Sequence, residues 1–226
     1  MSPADRISNT QKIVAILGNG VVGTTLAKGF AELGYKVIFG TRDVDSTKTR
    51  TALAAVSGSR AASLAEAAEA GSVVVLALPW VGLEAGILAA GPHNLSGKLV
   101  IDPSNPLDFS SDVPTFAVGQ SDSAGELVQR LLPQSLVVKA FNTVTATHMV
   151  HPHLPDGTPD MFIAGNDDQA KARVVELLKS FGWRDPIDAG PITASRLLEA
   201  LAMLWVIYGV RNDHWTHAFS LLGRKG

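Results

Sequence analysis

Lys12-Ile-Val-Ala-Ile-Leu17 runs without a break into Gly18-Asn-Gly20-Val-Val-Gly23. The first part is a short apolar run of the kind a strand shows when both its faces are buried. The second matches G-x-G-x-x-G, and Val21 to Leu33 follows at helical spacing until Gly34 closes it. The glycine pattern alone is weak; a strand before it and a helix after it give it the context of a dinucleotide-binding turn. Gly18 permits the tight turn, Gly20 lets backbone approach a pyrophosphate, and Gly23 lets the helix pack close to the strand. Asn19, Val21 and Val22 complete the turn, and the helix N-terminus turns its N–H groups and positive dipole end to phosphate.

Working outward, Lys36 to Phe39 reads as a second strand, ending in Gly40-Thr41-Arg42-Asp43. An enzyme that binds NAD places an acid near this point to accept from the ribose 2′-hydroxyl. Here Thr41 can donate a hydrogen bond and Arg42 can make a charge-assisted contact, which favours the 2′-phosphate of NADPH. Ser46 and Lys48 are secondary candidates for that phosphate. Asp43 is discordant, and is expected to point away as a helix N-cap.

The alternation continues along the chain. Asp45 or Ser46 caps a helix to about Val56, and the Ala/Glu-rich stretch Ala61 to Ala70 reads as helix. Ser72 to Leu78 is a buried strand, Val81 to Ala89 a helix and Lys98 to Ile101 a strand. Ser123 to Leu132 is helical, while Leu136 to Ala140 and Met161 to Ala164 are strands. Asp167 to Phe181 is a helix ending at Gly182, Ile187 is extended, His151 to Pro159 is a loop, and Ser195 to Val210 is a closing helix. The expected class is α/β: a Rossmann-type, doubly wound, mostly parallel sheet with a small C-terminal helical segment. Residues 11–190 form the NADP-binding domain and residues 191–226 the C-terminal segment, packing on the cleft.

Ligands of open α/β sheets lie across the carboxyl ends of the strands. Three later strand ends carry unusual residues. In Leu78-Pro79-Trp80 the proline stops the ladder, and Trp80 offers a flat wall or simple packing. In Asp102-Pro-Ser104-Asn105-Pro106 two prolines stiffen a loop whose Ser104 and Asn105 can bond ribose or carboxamide. In Lys139-Ala140-Phe141-Asn142-Thr143, Lys139 is a proton donor, a charge for an acidic substrate, or an edge-strand lysine. Phe141 either stacks on a ring or packs in the core; Asn142 and Thr143 are the better polar candidates.

Composition narrows the function. A formal charge of −2, with 46% hydrophobic residues, gives no footprint for nucleic acid or a charged membrane surface. The chain has no cysteine, which excludes thiolate chemistry and fits a cytoplasmic setting. Met1 to Thr10 lacks the apolar core of a signal peptide. Leu197 to Val210, interrupted by Glu199, is read as too short to span a membrane. His148, His151 and His153, near Asp156, fall where a turn enters a Pro-rich loop, and are expected to hold no metal. His214 and His217, one helical turn apart, read as surface or oligomer contacts. No acid–base pair stands out as catalytic.

Taken in order, Gly18-x-Gly20-x-x-Gly23, Gly40-Thr-Arg42, Leu78-Pro-Trp80, Val138-Lys-Ala-Phe-Asn-Thr143, Gly165-Asn-Asp-Asp168, Asp188-Ala-Gly-Pro191 and Ser195-Arg-Leu-Leu-Glu199 resemble the coenzyme F420-dependent NADP oxidoreductase family. The resemblance spans about Lys12 to Tyr208, and the NADPH-oxidising domain of the STEAP metalloreductases is similar too. It implies hydride transfer between NADP(H) and a deazaflavin (F420) or flavin-type acceptor. It also implies NADP contacts at Asn19, Gly20, Val21, Thr41 and Arg42, with the nicotinamide near Pro79 and the Asp102–Pro106 loop. That loop departs from the archaeal pattern and leaves the second substrate open. A non-enzymatic NADPH sensor and a reductase of small carbonyls or imines are the rival readings.

The closing helix carries Leu197, Leu198, Leu201, Leu204, Trp205 and Tyr208 at spacings of three and four, expected as one broad face. Further apolar residues on its other sides suggest a homodimer joined through this helix.

Overall fold

The computed structural model describes residues 12–111, 113–119 and 121–223, so the reading of Met1 to Thr10 lies outside the described residues. Strands β1 (Ile13–Leu17), β2 (Lys36–Gly40), β3 (Arg60–Ala62), β4 (Val73–Leu76) and β5 (Leu99–Asp102) form one sheet with β8 (Leu136–Lys139), β9 (Phe162–Gly165) and β10 (Ile187–Asp188). The order across it is β10-β9-β8-β5-β4-β1-β2-β3. Among the described residues of this sheet, only the β8–β9 pairing is antiparallel. A two-stranded hairpin, β6 (Leu107–Asp108) with β7 (Thr115–Phe116), stands apart.

Side-chain alternation along the buried strands builds two cores. Val14, Ile16, Val37, Phe39, Val73 and Val75 face helices α1 (Val21–Glu32), α2 (Thr47–Ala55) and α6 (Asp168–Ser180). Ala15, Leu17, Ile38, Val74 and Leu76 face α3 (Leu64–Ala70), α4 (Trp80–Ala90) and α5 (Ala124–Leu131). This is the expected doubly wound sheet covered on both faces. The chain crosses from the β1–β2–β3 side to β4 beside β1, which opens a crevice at the carboxyl ends of β1 and β4.

Several local expectations are corrected. Ala61 to Ala70 is not one helix: Arg60–Ala62 is the edge strand β3, and Ser63 then starts α3 through a capping box with Glu66. Propensity misleads here because the β2 edge supplies partners that outweigh the helix preference of alanine. Ser46, not Asp43 or Asp45, caps α2, accepting from the Thr49 N–H. The Asp43 carboxylate instead accepts from the Asp45 N–H and tightens the preceding turn.

The last helix, α7 (Ser195–Asn212), packs on α5 and β9. With the turn before it, Ile192–Asn212 is 21 residues long, so the helical segment is longer than the expected Leu197 to Val210 and is by length and composition enough to cross a membrane. In this fold close to half of it is buried inside the protein. Its apolar residues do not share one face. Leu198, Ala202, Trp205 and Val206 point inward, whereas Leu197, Leu204 and Tyr208 are exposed. Beyond it, Trp215 lies over Gly209, where a Cβ would come within 2.7 Å of the indole. His217 stacks on Trp205 with ring centroids 4.6 Å apart. Asp160 accepts from the Leu221 N–H at 2.7 Å, so the tail is strapped back to the chain just ahead of β9.

Candidate functional site

The glycine turn is where β1 meets β4. Gly18 has φ +112°, and a Cβ there would lie 2.1 Å from the Ala77 carbonyl oxygen. At Gly23 a Cβ would lie 2.3 Å from the Gly18 carbonyl oxygen, which is the close helix–strand packing expected of the third glycine. Gly20 differs from both. Its φ of −81° suits any residue, and a Cβ would meet nothing nearer than Lys48 Nζ at 3.8 Å. The protein's own packing therefore does not require glycine at position 20, whereas a pyrophosphate lying against the backbone would. Gly20 is also the N-cap of α1, with no side chain capping the helix and no acidic residue in its first turn. The N–H groups at Val21, Val22 and Gly23 thus remain an uncontested anion-binding end.

A hydrogen-bond chain joins this turn to the end of β2. Asn19 Nδ2 donates to Thr49 Oγ1 at 2.8 Å, and Thr49 Oγ1 donates to the Asp43 carbonyl at 2.7 Å. Thr49 is fully buried. Sequence reasoning missed it, although Thr49, Ala52 and Val56 fall at the spacing of an inward helix face. Arg42 and Lys48 are exposed and form no salt bridge among the described residues. Thr41 Oγ1 makes two long contacts with Asp43, donating to its carbonyl and accepting from its N–H, both at 3.4 Å. The two free cations beside the glycine turn fit a phosphate on the adenosine ribose. The residues present therefore fit the phosphates of NADP.

The far side of the crevice is more closely knit. Pro79 is the exposed N-cap of α4. Trp80 is half-buried against the core facing α4, and Leu78 fills the space above Gly86. Asn105 and Asn142 are spent on each other: Asn105 Nδ2 donates to the Asn142 carbonyl at 2.8 Å and Asn142 Nδ2 to Asn105 Oδ1 at 3.0 Å. Asn142 Nδ2 also donates to the Leu198 carbonyl of α7 at 3.0 Å. Ser104 Oγ and Asn142 Oδ1 are buried without a hydrogen-bond partner. Pro106, Ala140 and Thr143 are buried. Phe141 takes a positive φ of 68° and packs against Phe181 in the core, so of its two readings the core one holds.

Lys139 is not an edge-strand lysine, because β8 lies between β5 and β9. It is fully buried, and Nζ contacts Asp102 Oδ2 at 3.0 Å, Glu199 Oε1 at 2.8 Å and the Ser104 carbonyl. Glu199 also accepts from the Ala124 and Gly125 N–H groups at 3.0 and 3.1 Å, capping α5 from α7. Burial works against the charge on Lys139, but Asp102 and Glu199 more than offset it and hold the ammonium above the ordinary lysine range. Burial likewise pushes the Glu199 carboxyl up, and Lys139 only partly restores it. With all three N–H bonds engaged, Lys139 is poorly placed to give a proton to a substrate. Nearby, Arg196 binds Glu126 through two hydrogen bonds of 2.6 and 2.8 Å, a second latch between α7 and α5 that holds the Glu126 carboxyl below its ordinary value.

The histidines stay apart from this site. His151 pairs with Glu32 at 2.8 Å on the surface. Among the described residues no cluster of three His, Asp or Glu side chains is arranged to hold a metal ion.

Comparisons with known proteins bear on this geometry. Residues 13–106, from β1 through the proline loop after β5, match the family model for coenzyme F420-dependent NADP oxidoreductase. The solved structure of a candidate F420-dependent NADP reductase from Arthrobacter sp. FB24 superposes with a TM-score of 0.87 at 37% identity, covering 92% of this chain and 98% of that one. An F420-dependent NADP reductase of Methanocaldococcus jannaschii is 34% identical over 144 residues, 62% of this chain and 63% of its own length. The rat metalloreductase STEAP3 is 28% identical over 84% of this chain, which spans only 36% of that longer protein. The chain thus covers less than two thirds of either curated relative.

Proposed function

Since the chain belongs to the coenzyme F420-dependent NADP oxidoreductase family, we propose that it transfers hydride between NADP(H) and a planar acceptor, a deazaflavin such as F420 or a flavin. The observation that carries the cofactor reading is Gly20, whose glycine nothing in the protein requires and whose neighbours are bare helix N–H groups and Lys48. In this reading the Gly18–Gly23 turn takes the pyrophosphate. Thr41, Arg42 and Lys48 take the adenosine ribose and its 2′-phosphate. Pro79, Trp80 and the chain around Ser104 and Asn142 border the nicotinamide half. The bound dinucleotide supplies the hydride from its nicotinamide ring. The protein's part is to bind, orient and keep water out.

We infer further a cytoplasmic enzyme acting on a small-molecule acceptor rather than nucleic acid or a membrane, in line with its near-neutral charge and lack of cysteine. A homodimer through the exposed side of α7 is part of the same reading; Leu197, Leu204 and Tyr208 support it by their exposure. The test is NADPH oxidation against F420, FMN, FAD, ferric chelates and small imines. Turnover with F420 or a flavin supports the proposal. Turnover with imines alone would move the protein to another reductase class, and binding of NADPH without turnover would make it a sensor.

A further inference from the structure

Lys139 carries its ammonium fully buried, and stability alone is a poor reason for it. A buried ammonium with two carboxylates can often be exchanged for apolar groups at little cost, so such a network is weak evidence of a stabilising role. Its position is more informative. Asp102 ends β5, Lys139 ends β8, Ser104 lies in the proline loop, and Glu199 reaches in from α7 while capping α5. The three ammonium protons thus tie together four elements that wall the crevice on the side away from the adenosine-binding β2. The neighbouring Asn142 adds a bond from the same strand end to the α7 backbone.

We propose that Lys139 is a positioning residue for hydride transfer: through Asp102, the Ser104 carbonyl and Glu199 it fixes the loop and helix that hold the nicotinamide half of NADPH, without touching the reacting atoms. The proposal rests on the NADP reading above. It assigns a role to two motifs, Val138-Lys-Ala-Phe-Asn-Thr143 and Ser195-Arg-Leu-Leu-Glu199, whose Lys139 and Glu199 meet in the fold though they are distant in sequence. A dinucleotide needs both halves placed; the glycine turn and Arg42 place one, and this network places the other. Its removal should loosen the ring while leaving the adenosine half bound.

The experiment compares the full-length protein with the uncharged triple variant Asp102→Asn/Lys139→Met/Glu199→Gln, and with Glu199→Gln alone should the triple variant not fold. Two ligands are titrated, 2′,5′-ADP and NADPH, and the fluorescence anisotropy and lifetime of bound NADPH report the nicotinamide ring directly. The expected result is 2′,5′-ADP affinity within twofold of wild type, NADPH affinity reduced at least fivefold, and a shorter, less anisotropic NADPH emission. A variant that is folded by circular dichroism and leaves NADPH affinity and emission unchanged would overturn the proposal. So would equal losses for both ligands, which would mark a purely structural role. Failure of the wild-type protein to bind 2′,5′-ADP would instead remove the NADP reading itself.

Discussion

Asn19 and Thr49 meet at 2.8 Å, and through that bond the glycine turn is fastened to the segment that follows β2. Thr49 sits at the hub: its hydroxyl accepts from Asn19 Nδ2, donates to the Asp43 carbonyl, and contacts the Ser46 hydroxyl at 2.9 Å. Thr49→Val keeps the volume and removes the hub. Its partners Asn19, Asp43 and Ser46 are reached by water, so each lost bond costs about 0.5–1.5 kcal/mol net, and urea unfolding should report a loss of that size. Because the hub joins the pyrophosphate side to the 2′-phosphate side, NADPH affinity should fall with it. A variant with wild-type stability and affinity would show that the two loops are held by other means.

Among the described residues Arg42 and Lys48 form no salt bridge. Arg42→Ala should weaken NADPH by about 1.5–3 kcal/mol, the scale of a hydrogen bond to a charged group, and leave NADH nearly unchanged. Calorimetric titration with the two nucleotides measures the difference. Equal losses would place the 2′-phosphate elsewhere.

Gly18 and Gly20 should respond differently to substitution. Gly18→Ala forces a side chain into a positive φ and against the Ala77 carbonyl, so the fold should lose at least about 1–3 kcal/mol from backbone strain alone. Gly20→Val should stay folded, since its Cβ has room and its φ is ordinary, and yet bind no NADPH. Thermal melts paired with NADPH titration separate the two effects. Retained binding in Gly20→Val would reduce the fingerprint to a plain turn.

Much of this arrangement was legible in the sequence, and the misses share physical causes. The fold class followed from apolar runs alternating with helical spacing, and the roles of Gly18 and Gly23 from their place after β1. Strand direction was not legible, because the side-chain period is the same whichever way β9 runs against β8. Arg60–Ala62 was hidden because its strand state depends on a neighbouring edge. The face of α7 was misjudged for another reason. A helix apolar on most sides carries little directional information, so Leu198 and Trp205 could not be told from Leu197 and Leu204. Lys139 was flagged, but only the tertiary fold shows that Glu199, 60 positions along the numbering, is its partner.

The buried network should also leave a trace in the pH dependence of stability. Burial raises the folded-state pKa of Glu199 above its ordinary 4.5, so the folded protein holds that proton more tightly than the unfolded chain. The associated stability is fully present below 4.5 and is lost as pH rises through the raised value. Glu199→Gln stays uncharged throughout. The difference in unfolding free energy should therefore move in the variant's favour across that window and level off above it. A pH-independent difference would mean that Glu199 does not titrate abnormally. Lys139, raised above 10.5, should add a second loss of stability only in strong alkali.

The proposed dimer predicts light scattering at twice the 23.7 kDa chain mass at micromolar concentration. Leu204→Arg, on the exposed side of α7, should return the particle to one chain mass without unfolding it. An unchanged mass in the variant would move the interface off this helix.

The two ends of the sheet decide how copies of this protein can meet. One edge is β3, three residues long and starting at the exposed Arg60; the other is β10, two residues long, whose Asp188 is held by Lys171 at 2.8 Å. Edges this short and charged make poor templates for a further strand, so neighbouring molecules gain little by extending the ladder. In a crowded solution the fold is thereby guarded against runaway sheet growth.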